Sequence, residues 1–443
     1  MKKFSSLFLK IFLTGVIGLM IHVNGVTQVK PAFPLKVSPN GHYLVCNDGK
    51  PFYFCGDTQW VLLWYYTYED AVKIIDDRIK KGFTTLLISA VSWGNRNNKY
   101  GHRPITDNQK LDVDVRYYED AEKVLDYATQ KGLAIYMLPL WFGHHRNADE
   151  EAYYNYGKWI GDRWKARKNL IWVLGGDTPY ELGHLNKYRN LAKGIKEGGA
   201  EQIMSLHPFG GDFPSSGHSS SENFHTEDWL DFNSIQAHSD NGTEMNDKIY
   251  QDYEKKPTKP VILIEQWYYW LRGQPIFNIH KDSYEIRKFH YFTRLAGSFG
   301  EGYGAYPFWL GDEGWEAALN NQPAAIQIAT YMGDLFKNLQ WYNLIPDFSH
   351  EVLVSKTGSV VNPIVIARTD DKKLAIIYFP VQGRATINLC WFSDKVSAKW
   401  FDPTNGKFTA DKTYDNSGKS DFQSPRLNSA IEPDCVLIIQ AED

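Results

Sequence analysis

The chain has 443 residues, 43% of them hydrophobic and 23% charged, and a formal net charge of −4. That length can bury a substantial core, with room for one large domain and a smaller one, and the composition excludes a largely disordered polypeptide. The balance of charge leaves no broad basic surface, which excludes nucleic acid and anionic lipid as partners.

At the N-terminus Lys2 and Lys3 precede an apolar stretch over residues 7–21, and small residues follow around Asn24 and Gly25. A basic region, an apolar run and a plausible cleavage zone read as an export signal over residues 1–25. The run contains Lys10 and is short for a bilayer, and no later segment is long and apolar enough to cross one. The mature chain is expected to be exported, periplasmic or secreted, with no membrane span after the signal is removed. Cys46, Cys55, Cys390 and Cys435 show no close metal-ligand spacing. Cys46 and Cys55 could pair across a turn, but buried free thiols are the expectation, with no metal and no cofactor.

Runs 43–46 and 52–55 read as a hairpin around Asn47-Asp48-Gly49-Lys50. A repeating unit follows. Residues 69–81 form a helix with Ala71, Ile74, Ile75 and Ile79 on one face and Gly82 as its C-cap, leading to a strand over 83–90. A helix over 118–131 ends at Gly132 before a strand over 133–140. Helix 153–168 leads to strand 170–175, and helix 185–197 leads through Gly198-Gly199 to strand 203–207. Strand 231–238, helix 245–255, strand 261–265, helix 281–297 and strand 302–309 complete the series. With 52–57 as the first strand, about eight strands alternate with helices, the pattern of a (β/α)8 TIM barrel over 30–346. A doubly wound open sheet is disfavoured, because no Gly-rich phosphate loop follows the first strand. Beyond it, short runs at 351–354, 364–368, 374–379, 385–389, 397–401 and 436–440 alternate with turn signals and read as a small β-sandwich over 347–443.

Two strands end in carboxylates: Leu170-Ile171-Trp172-Val173-Leu174-Gly175-Gly176-Asp177 and Pro260-Val261-Ile262-Leu263-Ile264-Glu265. The C-terminal ends of barrel strands form the active-site face, and two carboxylates from different strands are the minimum equipment for cleaving a glycosidic bond. Glu265 emerges from a Val/Ile run beside Trp267, which shields a nucleophile from water. Gly175 and Gly176 allow close approach at Asp177, which could also cap a helix opened by Thr178-Pro179. The other strand ends carry Asp57, Gln59 and Trp60; Trp93; His144 and His145; His207; His238; Trp267 and Tyr268; and Trp309. These read as a rim of hydrogen bonders and stacking rings. The excess of aromatics (15 Trp, 27 Tyr, 24 Phe) favours an oligo- or polysaccharide ligand, because sugar rings stack through their C–H faces. The histidines lack HExxH-type spacing and read as hydrogen bonders to substrate, and no Gly-x-Ser-x-Gly elbow stands at a strand end. The rival reading is a carbohydrate- or matrix-binding protein that no longer catalyses.

Gly56-Asp57-Thr58-Gln59-Trp60, Gly175-Gly176-Asp177, Ile264-Glu265 and Trp400-Phe401-Asp402-Pro403-Thr404-Asn405-Gly406 resemble bacterial barrel proteins carrying a domain of unknown function numbered 4038. Those proteins end in a small sandwich that has borne a collagen-binding label. The group includes glycoside hydrolase family 140, known for apiosidase activity on rhamnogalacturonan II, and is distantly similar to family 5 cellulases. The resemblance covers nearly all of the mature chain. It implies Asp177 as general acid/base and Glu265 as nucleophile. The Asn-Glu acid/base pair of the family 5 clan is replaced by Gly176-Asp177, which favours the family 140 reading over a family 5-like endoglucanase. The expectation is a glycosidase acting on a pectic side chain with retention, its two carboxyl groups ~5–5.5 Å apart, and a sandwich that is structural rather than collagen-binding.

Overall fold

The computed structural model describes residues 30–177, 184–211, 215–269, 281–355 and 358–442. The segment read as an export signal lies outside them. Eight parallel strands build the first domain: β1 Phe54–Thr58, β2 Thr85–Ser89, β3 Ala134–Leu138, β4 Leu170–Gly175, β5 Met204–His207, β6 Asn233–His238, β7 Val261–Glu265 and β8 Gly300–Tyr303. They lie in the order β6-β7-β8-β1-β2-β3-β4-β5. The intervening helices are α1 Tyr68–Lys81, α2 Val115–Lys131, α3 Glu150–Trp164, α4 Leu185–Glu197, α5 Gly242–Tyr253 and α6 Ser283–Leu295. This is the α/β barrel that the alternating pattern implied.

Local chemistry sets the boundaries. Thr67 and Asp70 form a capping box at the start of α1, and Gly82 ends that helix in the left-handed conformation at φ +100°. Gly297 and Pro307 close off β8 on either side: expected over 302–309, it spans Gly300–Tyr303, because Pro307 has no N–H for a ladder and Phe308 N–H instead bonds Ala305 O in a turn. The N-terminal hairpin forms around the expected turn but is short: Val45 bridges Pro51, Cys46 N–H bonds Lys50 O at 2.8 Å and Phe52 N–H bonds Leu44 O at 2.9 Å. Leu44–Val45 also pairs with Lys36–Val37, and Phe54–Thr58 enters the barrel as β1.

The barrel has a polar seam between β5 and β6, where no strand-to-strand ladder is formed among the described residues. At its lower end Ser205 Oγ donates to Phe232 O (2.7 Å) and bonds Ser234 Oγ (2.9 Å), and Asp231 N–H bonds Met204 O (2.8 Å). Toward the C-terminal ends, the antiparallel strand Ser215–Ser219 takes the edge of β6 instead, with a register shift between Ser215 and His218. Ser205, Asn233 and Ser234 stand where other strands carry Val or Ile, so the sheet curls round with a break on this side. Outside β4 and β5, α3 and α4 cross at four glycines. A Cβ on Gly161 would lie 2.4 Å from Ile195 O, and one on Gly194 would lie 2.2 Å from Tyr154 O, so the backbones touch.

The second domain is an antiparallel sheet of β9 Val365–Thr369, β10 Leu374–Phe379, β12 Val396–Asp402 and β14 Cys435–Ala441, covered by a ribbon of β11 Arg384–Asn388 and β13 Lys419–Gln423. Alternate residues of β10 serve two cores. Leu374, Ile376 and Tyr378 join the barrel's cluster, and Ala375, Ile377 and Phe379 join the sandwich's own. That double burial is why β10 is apolar throughout. The run at 351–354 is shortened to one antiparallel bridge, Leu353 with Ile387 of β11, flanked by Asn388 N–H to Val352 O (2.9 Å) and Val354 N–H to Thr386 O (3.0 Å). It is short because the Asp347 carboxylate accepts from the N–H groups of Glu351, Val352 and Leu353 at 3.0–3.1 Å. Cys46, Cys55 and Cys435 are buried free thiols, and Cys390 is free but exposed.

Candidate active site

β4 delivers Asp177 through a left-handed bend. Gly175, Gly176 and Asp177 have φ of +96°, +100° and +26°. A Cβ on Gly175 would sit 2.4 Å from His207 O, and one on Gly176 would sit 2.9 Å from the Trp141 ring, so only glycine fits at either. Aspartate tolerates this backbone region better than most residues. Asp177 is open to solvent on one side, and its Oδ1 accepts from Gln236 Nε2 at 2.7 Å.

Glu265 ends β7 and is 5% exposed. His207 Nε2 lies 3.0 Å from its Oε2, and His238 Nε2 3.8 Å from its Oε1. His207 Nδ1 lies 3.0 Å from Pro208 O. A carbonyl and a carboxylate only accept, so both neighbours of the His207 ring favour its doubly protonated form. Tyr268 also bonds Glu265, and its hydroxyl oxygen accepts from Trp60 Nε1 at 3.2 Å.

The two carboxyls are driven apart in pKa. Desolvation by the pocket wall and then the Glu265 charge push Asp177 up to about 6, opposed by the His207 charge and the Gln236 bond. Burial acts to raise Glu265 as well, but the His207 bond and charge and the Tyr268 bond outweigh it and hold Glu265 below the usual carboxylate value. Burial lowers His238 to about 4, with Glu265 opposing and His207 assisting, so it is neutral. His207 loses stability as a cation by burial but gains more from the Glu265 bond and charge, and is raised.

Around this group runs a closed belt of aromatics. Trp60 meets Trp141 with ring centroids 5.5 Å apart, Trp141 meets Trp93 at 5.4 Å, Trp93 meets Trp309 at 6.2 Å and Trp309 meets Tyr268 at 5.1 Å. The Trp60–Tyr268 hydrogen bond closes the circuit. Trp267 packs on His238 at 5.3 Å. Asp177, Glu265, His207, His238, Trp60, Trp93, Trp267, Tyr268 and Trp309 are therefore brought together at one end of the barrel.

Asp57 and Gln59 stand differently. Asp57 is 1% exposed, its Oδ1 accepts from Arg78 Nη1 at 3.3 Å and its Oδ2 from Gln59 Nε2 at 2.5 Å, so both oxygens are taken within the protein. His144 is exposed, on the short helix Phe142–His145. His145 is buried, its ring lowered to about 4 by burial and then by the His144 charge. Among the described residues neither bonds Asp177 or Glu265. Sequence reasoning missed Gln236, and it read Trp141 at a strand end without placing it among the substrate contacts. Gln236 had a readable signal: β6 alternates Ser234, Gln236 and His238 on one face, whereas β7 carries Val, Ile and Leu up to its terminal Glu265. Trp141 is the first residue after the strand predicted over 133–140.

Residues 38–343 match the family described as "Apiosidase-like, catalytic domain", and residues 345–440 match "Putative collagen-binding domain of a collagenase". Among solved structures, the chain is similar to one described as "Glycoside hydrolase" (24% identity, TM-score 0.82, covering 93% of this chain and 98% of that one). It is also similar to a glycoside hydrolase family 5 protein from Bacteroides vulgatus ATCC 8482 (24% identity, TM-score 0.81, covering 92% of each chain). At that identity the likeness speaks to fold. No curated protein matches the sequence. The family match spans the whole barrel and includes both strand-end carboxylates, so the chain belongs to the Apiosidase-like catalytic-domain family and is a glycoside hydrolase.

Proposed function

We propose that the protein is an exported, apiosidase-like glycosidase that removes a pectic side chain with retention of configuration, Asp177 acting as acid/base and Glu265 as nucleophile. The observation that carries this reading is the placement of two carboxyls at the ends of β4 and β7 inside one aromatic belt, Asp177 held by the Gln236 amide and Glu265 by His207. In that arrangement burial and the Glu265 charge raise Asp177 to about 6, while the His207 bond holds Glu265 low. One group keeps its proton near neutrality and the other stays ionised, the division that glycoside cleavage needs. In the first step Glu265 attacks the anomeric carbon as the C–O bond breaks, and the Asp177 proton passes to the leaving oxygen. Forming the ester removes the Glu265 charge, which is the second cause of the raised Asp177 pKa. The same carboxyl then falls in pKa and becomes a base, taking a proton from the water that attacks the ester. The belt of tryptophans supports a sugar ring as ligand, and the family match supports the apiosidase-like class.

Incubation with pectin fractions, rhamnogalacturonan II among them, should release new reducing ends. Binding without release across such a panel would refute the enzyme reading. Glu265→Gln should be inactive on every substrate. Asp177→Asn should be inactive on natural linkages yet keep its first step on an aryl glycoside, and azide should speed its turnover with retained configuration. Azide rescue of Glu265→Gln alone would reverse the assignment. Export is tested by N-terminal sequencing of the mature protein, which should begin after about residue 25.

A further inference from the structure

We infer that Gln236 is the positioning residue of this site: its side-chain amide fixes which oxygen of Asp177 delivers the proton and limits how tightly Asp177 holds it. This rests on Asp177 being the acid/base. The geometry is a bridge between the two carboxylates. In the β6–β7 ladder Ile235 pairs with Leu263 and Gln236 with Glu265, so the register skips Ile264 of β7 and sets Glu265 level with Gln236. Such an irregularity re-aims the strand that carries it, here the one ending in Glu265, while the Gln236 amide on the regular strand reaches across the seam to Asp177 Oδ1 at 2.7 Å. With Oδ1 committed to the amide, Oδ2 is the oxygen left to carry and release the proton.

The packing holds the amide in place. A Cβ on Gly210 would lie 3.0 Å from both Cδ and Nε2 of Gln236 and 3.0 Å from His238 Nδ1, so the loop after β5 closes directly over the side chain. Gln236 is 1% exposed. Its neighbour His218, opposite it in the antiparallel pairing, marks the other side of the same strand.

The charged and titratable groups acting on Asp177 come from three strands. They are Glu265 from β7, which raises its pKa, and His207 from β5, which lowers it, with Tyr268 and neutral His238 of β6 touching Glu265 beside it. Gln236 is uncharged, and through its N–H it favours the ionised form. It opposes burial and Glu265, and it does so without adding a charge that would follow pH.

The test is Gln236→Met, close in volume and without a donor, beside Gln236→Glu, which keeps a polar group but puts a carboxyl against Asp177. Losing a hydrogen bond to a carboxylate should raise the Asp177 titration by about one pH unit. The readouts are a 13C carboxyl titration, with the Asp177 signal assigned by its loss in Asp177→Asn, and the pH profile of kcat/KM on rhamnogalacturonan II fractions or an aryl glycoside. Both variants should move the alkaline limb upward, with kcat falling more than KM rises. An unmoved titration and limb in a folded Gln236→Met would overturn the inference, whatever the loss of activity. Should that variant not fold, the same result in Gln236→Glu would overturn it. An active Asp177→Asn on natural linkages would instead remove the acid/base reading beneath it, so the two failures are told apart.

Discussion

Arg287, on α6 of the barrel, is the residue whose loss should most sharply reveal how the two domains depend on each other. It is fully buried, as is Asp434 of the second domain. Arg287 Nε donates to Asp434 Oδ2 at 2.9 Å and Nη2 to Oδ1 at 2.6 Å, a two-pronged pair. Nη2 also reaches Glu432 Oε2 at 2.7 Å, and Nη1 reaches Gln327 Oε1 at 2.5 Å. Tyr378 and Asn428 donate to the same aspartate at 2.9 and 2.8 Å. Arg287→Met leaves Asp434 buried without its cation, and breaking one side of such a pair costs about 3–5 kcal/mol. Lys73→Ala, which opens an exposed pair with Glu316, should cost at most about 1 kcal/mol. Urea unfolding of the full chain measures both. The double variant Arg287→Met with Asp434→Leu should recover much of the loss, because the orphaned charge is gone. If Arg287→Met costs less than about 1 kcal/mol, the domain interface is not held as argued, and the second domain reads as an independent module.

Gly194→Ala should destabilise the barrel by about 1–3 kcal/mol in the same unfolding assay, because its methyl would lie 2.2 Å from Tyr154 O and α3 and α4 would have to separate. The Glu265–His207 pair should stabilise the fold within a pH window. His207 is raised above 6.5, so its contribution is complete below that value and is lost as pH rises through its folded pKa. Glu265 is depressed below 4.5, so its contribution is present above that value and is lost as pH falls through its folded pKa. The stability difference between wild type and His207→Gln should therefore be greatest between about pH 4.5 and 6.5 and shrink on both sides; a difference that stays equally large well below and well above that window would contradict the ion pair.

The barrel was legible because its signals are local and repeated: apolar strands, amphipathic helices and glycine C-caps recur in order. The two carboxylates were legible for the same reason, each ending an apolar run. What was not legible depends on which way a side chain turns. Asp57 ends its strand like Asp177 and Glu265, yet it pairs with Arg78. The pattern that would have warned of this was present: Ala71, Ile74 and Ile75 continue to Arg78, not to Ile79, as the buried face of α1. A buried arginine on a helix facing β1 requires an acid nearby. In the second domain β13 escaped notice because only Phe422 of its five residues is buried.

The seam explains why one polar strand interrupts an otherwise apolar barrel, and why it does so at the site. A fully closed ladder between β5 and β6 would satisfy its backbone groups and leave apolar side chains to fill the interior. Here Ser205, Ser234 and Asp231 take over part of that bonding, and the strand Ser215–Ser219 occupies the upper edge of β6. The opening falls between His207 and His238, the two histidines that contact Glu265, and beside Gln236, which contacts Asp177. A barrel with apolar residues on β6 would close more regularly, but Asp177 would lose the Gln236 amide and Glu265 would keep only His207 and Tyr268. The departure from the repeating pattern and the chemistry of the site therefore have one origin, the polar face of β6.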